Sequence, residues 1–448
     1  MDIGTGAGAG GLLTDLYELN MAVSYLRRDM TGPATFSLFI RRMPPDRGFM
    51  VTCGLDDCLE FLAGFGFTTG DLEYLRVAQR YDEASLAALG ALRFTGEVWA
   101  VPEGRVVFAG EPLLEVTAPI AEAQLVETVL LNHLTFQTSI ATKAARCMEA
   151  AAHAQVIDFS FRRTQGLEAG LAVARASAIA GFAGTSNVEA ARRHGLPAVG
   201  TMAHSFIEAF PDEQSAFAAF ADDFPDRTTF LVDTYDTIGG IRSAIEVARR
   251  LGLGPPAGIR LDSGDLGALA AQARRMLDAA GFHSTRIVAS GGLDEYAIAG
   301  LVAAGAPIDV YGVGTKMGVS ADAPYVDSAY KLVAFGGRPV MKLSPGKITE
   351  PGAKQVYRGA DGDVLTLREE TAPVGHEPLL VPVMRGGHRI SPAEPLAVSR
   401  DRCAADLAAL PAAVRRLRAP DTIPVQPSER LGRLRDRLRA EMQERQRA

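Results

Sequence analysis

The residues best suited to chemistry in this chain sit at the ends of seven short β-branched runs, and one of them is a histidine. The run Pro197-Ala-Val-Gly-Thr201-Met-Ala-His204-Ser205 carries it. The others are Val156-Ile-Asp-Phe159-Ser-Phe-Arg162-Arg163, Ile179-Ala-Gly-Phe-Ala-Gly184-Thr185-Ser186-Asn187, Phe230-Leu-Val-Asp233-Thr-Tyr-Asp236, Gly258-Ile-Arg260-Leu-Asp262-Ser263-Gly264-Asp265, Ile287-Val-Ala-Ser290-Gly291-Gly292 and Val310-Tyr-Gly312-Val-Gly314-Thr315. Imidazole titrates near neutrality and serves as nucleophile or base. A carboxylate that fixes its tautomer improves both roles, and Asp233 is placed to do so. Asp233 reads equally well as the N-cap of the segment after it, and a lone histidine near a strand is often only structural.

Arg260 and Asp262 alternate onto one side of an extended strand. A guanidinium there suits a carboxylate or phosphate. Asp262 suits ribose hydroxyls or a magnesium-bound diphosphate. The plainer reading of the pair is an ion pair holding a strand end, with Ser263 and Asp265 as caps. Gly291-Gly292 and Gly314-Thr315 are turns into helices, where backbone N–H groups bind phosphate. One such turn is weak, because glycine often serves a tight turn alone; two on adjacent strands make a cup. Arg162 and Arg163 add positive charge, although either suits a surface ion pair. The chemistry on offer is that of a site for a phosphorylated substrate.

The elements that must position these groups follow from the spacing. Between about 154 and 335 the runs alternate with helical segments at 166–178, 187–194, 212–222, 237–252, 264–280 and 293–304. Alternation of this kind argues for βαβ units and a parallel sheet. Right-handed crossovers and seven or eight strands close into an α/β barrel, whose strand ends converge on one face. Before the barrel, 12–30 is helical with Thr14 or Asp15 as cap, 34–40 alternates as a strand, 52–90 is helical, 95–119 is β, and 120–152 is one long helical stretch. After 336 come short β runs that pack with the N-terminal segments. Leu431, Leu434, Leu438 and Met442 make an Arg-rich terminal helix amphipathic, as expected for a surface helix docked on the body. The expected division is thus a disordered tail at 1–11, a mixed α+β segment at 12–150, a barrel at 151–335, and β segments with a helical tail at 336–448.

Bulk properties narrow the class. A length of 448 residues allows two or three domains and a large core. The net charge of −7 gives no reason to expect nucleic acid or an anionic membrane as partner. Four cysteines without paired CxxC units argue against structural zinc and fit a reducing compartment. No apolar run reaches membrane-spanning length, and the glycine-rich N-terminus has neither the features of a signal peptide nor the strand that a dinucleotide fingerprint needs. A cytoplasmic protein is expected.

From Leu12 to about Lys342 the chain resembles the nicotinate phosphoribosyltransferase family. The resemblance is carried, in order, by Leu12-Leu-Thr-Asp-Leu-Tyr17, Phe161-Arg-Arg-Thr-Gln-Gly166, Gly184-Thr-Ser-Asn187, Gly200-Thr-Met-Ala-His-Ser205, Arg260-Leu-Asp-Ser-Gly-Asp265, Gly312-Val-Gly-Thr315 and Tyr330-Lys-Leu. It implies a type II phosphoribosyltransferase fold: an irregular α/β barrel with a second mixed α+β domain built from both chain ends. It implies a homodimer with shared active sites. The reaction implied joins nicotinate to phosphoribosyl diphosphate, with Mg2+ and coupled ATP hydrolysis. By the same resemblance His204 is the phosphorylated histidine, and Tyr17 reaches from the neighbouring subunit onto the pyridine ring. Phe159, Ser186, Thr201 and Arg260 contact nicotinate, and Arg162, Asp262, Gly264, Gly291, Gly292, Gly314 and Thr315 hold the phosphoribosyl group. No dedicated protein metal site is implied; Asp262 is the candidate contact for magnesium on the diphosphate. Ser186 stands where the relative that uses nicotinamide has an acid, which favours nicotinate. The alternatives are nicotinamide or quinolinate as base, or a non-catalytic phosphoribosyl-binding barrel. A sugar-phosphate isomerase or aldolase would need a base or Schiff-base lysine at a strand end, and Lys316 and Lys331 fit poorly.

Overall fold

A computed structural model describes residues 10–343 and 349–447. The chain divides into two compact units, one formed by 1–139 with 325–448 and one by 140–324. The expected tail at 1–11 lies mostly outside the described residues. Its last two residues are ordered: Gly10 and Gly11 are buried, and the Gly11 N–H donates to the Gly66 carbonyl at 2.9 Å.

The unit containing both chain ends is built on a seven-stranded sheet. Its strand order is Arg338–Pro339, Ser328–Phe335, Pro33–Ile40, Pro112–Pro119, Glu97–Ala100, Val381–Arg385 and His388–Arg389. Three N-terminal strands therefore form the centre of this sheet, with two strands from the C-terminal part of the chain on either side. Ser328–Phe335, read from sequence as the end of the barrel, instead pairs antiparallel with Pro33–Ile40. A four-stranded sheet adds Lys354–Gly359 and Gly362–Leu367. The terminal helix Glu429–Arg447 packs on the latter strand through Leu431, which is fully buried, with Leu434 packed beside the core.

The 140–324 unit holds a six-stranded, wholly parallel sheet in the order Gly184–Thr185, Gln155–Asp158, Val310–Val313, Arg286–Ala289, Gly258–Leu261, Thr229–Leu231. Each strand is short and almost continuously buried, as parallel strands covered on both faces must be. Ile157, Phe159, Val288 and Val310 cluster, with Val199 against them. Five of the helices between strands begin on side-chain caps that the sequence supplies. Asn187, Asp212, Asp236, Asp265 and Asp294 each accept a backbone N–H from the first turn of the helix they precede. Each cap contributes about 1 kcal/mol.

The barrel is irregular because two of the seven expected strands are hardly strands. Ile179 ends the helix Leu167–Ile179, so only Gly184–Thr185 of that run is extended. Pro197–Val199 contributes one bridge, Thr185 with Ala198, through bonds of 3.1 and 2.9 Å. Pro197 lacks an N–H, and the segment is largely exposed, so no ladder grows from it. Among the described residues no ladder joins this segment to Thr229–Leu231. The ring of strands therefore has a seam, and His204 lies at it.

Candidate active site

His204 opens the short helix His204–Glu208 that follows the seam segment. Its Nδ1 is 3.1 Å from the Thr234 hydroxyl, which follows the strand on the other side of the seam. Its Nε2 is 4.0 Å from Asp262 Oδ2, and the imidazole is 40 % exposed. The expected partner, Asp233, is engaged elsewhere. Its Oδ2 accepts the Asp262 N–H at 3.0 Å and the Ser263 hydroxyl at 2.6 Å. Nor does Asp233 cap the following helix; Asp236 does so, accepting the Gly239 N–H at 2.6 Å. Asp233 thus braces the loop that carries Asp262, and its Oδ1 is buried without a partner. Sequence reasoning missed Thr234; its position directly after Asp233 was the available signal.

Arg260 is the centre of the site. It projects from the strand Gly258–Leu261 in register with Val288, and its neighbour two positions on, Asp262, lies on the same side. Nε donates to the Ser290 hydroxyl at 2.8 Å, one terminal nitrogen to Thr201 Oγ1 at 3.1 Å and the Met202 carbonyl at 3.3 Å, and the other to Asp262 Oδ1 at 2.7 Å. The guanidinium also lies 5.7 Å from the centre of the Phe159 ring. Four of its five N–H groups are used within the chain, leaving one on the nitrogen that binds Asp262. The expected two-point grip on a ligand carboxylate is therefore not available from Arg260 alone. Burial pushes the Asp262 carboxyl up, but hydrogen bonds from Arg260 and Ser290 outweigh it and hold the group below the usual carboxylate range.

Phe159 fits because position 312 is glycine: a Cβ there would stand 2.6 Å from the ring. Beside it, Asp158 is fully buried and accepts from the Ser160 N–H at 2.9 Å and the Thr185 hydroxyl at 2.7 Å. Burial raises its pKa despite these bonds. Asp158 thereby ties the first two strands together, with the Ser186 N–H donating to its carbonyl at 2.8 Å. Ser186 is half-buried.

The two glycine turns follow the adjacent strands Arg286–Ala289 and Val310–Val313, which pair at Val288 and Val310. Gly291 has φ +92°, and a Cβ there would stand 1.9 Å from the Asp262 carbonyl oxygen. Gly292 has φ +65° in open space, and Gly264 has φ +80°. Gly314 precedes the exposed Thr315. Lys316 joins the turns by an ion pair of 2.8 Å to Asp294, the cap of the helix after Gly291-Gly292. Arg162 and Arg163 are exposed after the strand Gln155–Asp158. The structure brings Phe159, Thr201, His204, Arg260 and Asp262 into one connected set, with Gly291 packed under Asp262. Tyr17 belongs to the other unit, on the helix Leu16–Leu26, where it is 51 % exposed and its hydroxyl donates to Glu18 at 3.0 Å.

Hard oxygen donors for a divalent ion are present at Asp262 Oδ2 and Asp233 Oδ1, which are the oxygens of those side chains that Arg260 and the loop leave unused. Among the described residues no three His, Cys, Asp or Glu side chains gather as a metal cluster. No helix among them is long and apolar enough to cross a membrane.

Comparison with known proteins agrees along most of the chain. Residues 12–135 match the nicotinate phosphoribosyltransferase N-terminal domain, 154–350 the nicotinate phosphoribosyltransferase family, and 366–435 the nicotinate phosphoribosyltransferase C-terminal domain. Nicotinate phosphoribosyltransferase pncB2 of Mycobacterium tuberculosis is 48% identical over 413 residues, covering 91% of this chain and 89% of that protein. The nicotinate phosphoribosyltransferase of Bacillus subtilis is 44% identical, covering 80% and 76%. The crystal structure of human nicotinic acid phosphoribosyltransferase superposes with a TM-score of 0.86 at 33% identity, covering 95% of this chain and all of that one.

Proposed function

The chain belongs to the nicotinate phosphoribosyltransferase family, and we propose that it joins nicotinate to phosphoribosyl diphosphate, giving nicotinate mononucleotide and diphosphate for NAD salvage, with ATP hydrolysis coupled through His204. The observation that carries this reading is the Arg260 cluster. One guanidinium binds Thr201, Ser290 and Asp262 beside an aromatic floor at the C-terminal ends of parallel strands, and the Asp262 carboxylate lies 4.0 Å from the His204 imidazole.

In this reading Phe159 supports one face of the pyridine ring. The remaining Arg260 N–H and the Thr201 hydroxyl hold the nicotinate carboxylate. Ser186, a neutral residue, leaves that carboxylate unopposed. Tyr17 of a second copy covers the other ring face, which requires a homodimer. Thr315, the glycine turns and Arg162 bind the phosphoribosyl phosphates. The pyridine nitrogen attacks the anomeric carbon while the bond to diphosphate breaks, through an oxocarbenium-like transition state. Asp262, kept ionised by Arg260, stabilises that developing cation and positions ribose hydroxyls. Magnesium arriving with the diphosphate would be held by Asp262, with Asp233 beside it, and supplies charge neutralisation to the leaving group.

His204 Nδ1 is hydrogen-bonded to the Thr234 hydroxyl; in the tautomer that carries its proton on Nδ1, the Nε2 lone pair is the nucleophile. That nitrogen takes the terminal phosphoryl group of ATP and releases ADP. Water later cleaves the P–N bond, and this hydrolysis pulls the overall equilibrium toward mononucleotide.

The test is mononucleotide formation by purified protein with magnesium and phosphoribosyl diphosphate, comparing nicotinate with nicotinamide, with and without ATP, for wild type and His204→Ala. Product from nicotinate that ATP raises in wild type but not in the variant is the expected result. Product from nicotinamide alone would overturn the roles given to Ser186 and Arg260. Binding of both substrates without product would make this a non-catalytic barrel.

A further inference from the structure

Tyr17 stands at the start of a helix whose adjoining residue is a fully buried glutamate. Glu18 is 0 % exposed. It accepts the hydroxyl of Tyr17 at 3.0 Å, that of Thr128 at 3.3 Å, and that of Thr14 one turn earlier. Thr128 also donates to Asp15 at 2.9 Å. The helix start is therefore tied through one carboxylate to the helix Glu127–Ala151. The Tyr17 ring is bent back onto its own sequence neighbour, hydroxyl anchored, with about half its surface left open.

We infer that Glu18 is a positioning residue for the reaction: its carboxylate holds the Tyr17 hydroxyl, fixing the ring in the orientation that covers the pyridine base. The inference rests on the reading of Tyr17 as the aromatic that meets nicotinate. A free tyrosine side chain rotates about two torsions, and an exposed one presents its face only part of the time. Anchoring the hydroxyl removes that freedom before substrate binds, which lowers the cost of closing over the base.

The surroundings of Glu18 argue against a mere ion-pair role. Among the described residues no cation pairs with it. Glu127 is nearby, and its own carboxylate is occupied by Gln124 at 2.9 Å and Lys331 at 3.6 Å. Tyr330, also within electrostatic reach, donates its hydroxyl to the Ala123 carbonyl. Burial with only hydroxyl donors pushes the Glu18 carboxyl up to about 7. A buried carboxylate with no compensating cation is a costly choice for stability alone, and its three donors all lie where the Tyr17 segment is held.

Steady-state kinetics of the full-length protein test this with Tyr17→Phe, Glu18→Met, Glu18→Gln and the double variant Tyr17→Phe/Glu18→Met. Tyr17→Phe keeps the ring and removes only the anchor. It and Glu18→Met are expected to raise KM for nicotinate about fivefold, the size of one hydrogen bond, with kcat changed less than about twofold. Glu18→Gln, which keeps one acceptor oxygen, should fall between. The double variant should be no worse than either single one, because both remove the same bond. Additive effects, or a Glu18 effect without a Tyr17→Phe effect, would reduce Glu18 to a structural residue. Tyr17→Ala separates the two levels of the argument. If it leaves KM for nicotinate unchanged, the assignment of Tyr17 fails and the inference with it. If it raises KM while Tyr17→Phe and Glu18→Met do not, only the anchoring role is lost.

Discussion

Asp262 and Glu18 are both carboxylates largely withdrawn from water, and they end in opposite states. Burial pushes each one up. For Asp262 a guanidinium 2.7 Å away, together with Ser290, reverses the effect and leaves the group ionised across the neutral range. For Glu18 three hydroxyls do not reverse it, and the group titrates near 7. Hydroxyl donors soften desolvation; an opposite charge outweighs it. The barrel unit thus holds a permanent anion beside the proposed reacting carbon, whereas the other unit holds a proton-sensitive anchor under an aromatic ring.

The sharpest way to break this contrast is Arg260→Met. It removes the cation and leaves the Asp262 carboxylate with only the Ser290 hydroxyl and the His204 imidazole 4.0 Å away. The expected loss in kcat/KM is at least about a hundredfold, since a hydrogen-bonded charge is left unpaired. The Asp262 pKa should also rise, moving the acid limb of the pH–rate profile to higher pH. A variant with an unchanged acid limb would mean that Arg260 does not set the state of Asp262.

Gly291→Ala probes the same region through the backbone. Its φ of +92° disfavours a Cβ, and the Cβ would collide with the Asp262 carbonyl oxygen at 1.9 Å. The turn must shift, at a cost of roughly 2 kcal/mol. Denaturant unfolding should show that loss, and activity should fall further than stability does. The neighbouring Gly292→Ala meets no atom within 4 Å, so it bears only the conformational strain and should cost less.

The smallest effect is on the other side of the comparison. The Glu18 pKa is raised in the folded chain, so the folded state holds the proton more tightly than the unfolded one. Its contribution to stability is fully present below the ordinary glutamate pKa and is lost as pH rises through about 7. Glu18→Gln removes that dependence. The melting temperature of wild type relative to the variant should therefore fall between about pH 5 and about pH 8. A difference that stays level would mean that Glu18 is ionised throughout.

Much of the barrel was legible because its signals are local. Alternating apolar runs and helical segments marked the βαβ units. Asp265 was recognisable as a cap beside Ser263, and Gly291 as a turn. The positions of Arg260 and Asp262 on one side of a strand follow from strand periodicity and are met in the structure. The runs at Ile179 and Pro197 misled because composition there resembles a strand, whereas the helix continues through Ile179 and Pro197 cannot donate to a ladder. The expected barrel span of 151–335 took in Ser328–Phe335, which pairs instead with Pro33–Ile40, because local pattern does not name a strand's neighbour.

By itself the sequence determined which residue types stand at strand ends, where the helices begin, and which motifs tie the chain to its family. These depend on spacing, propensity and side-chain chemistry within a few residues. Tertiary structure decided the partners. That Thr234 rather than Asp233 meets His204, that Asp233 braces the Asp262 loop, and that Arg260 is nearly saturated are outcomes of packing between strands 30 to 60 residues apart. The state of Glu18 is of the same kind. Its charge is written in the chain, but its proton is governed by how completely the fold removes water from it and by the hydroxyl donors that surround it.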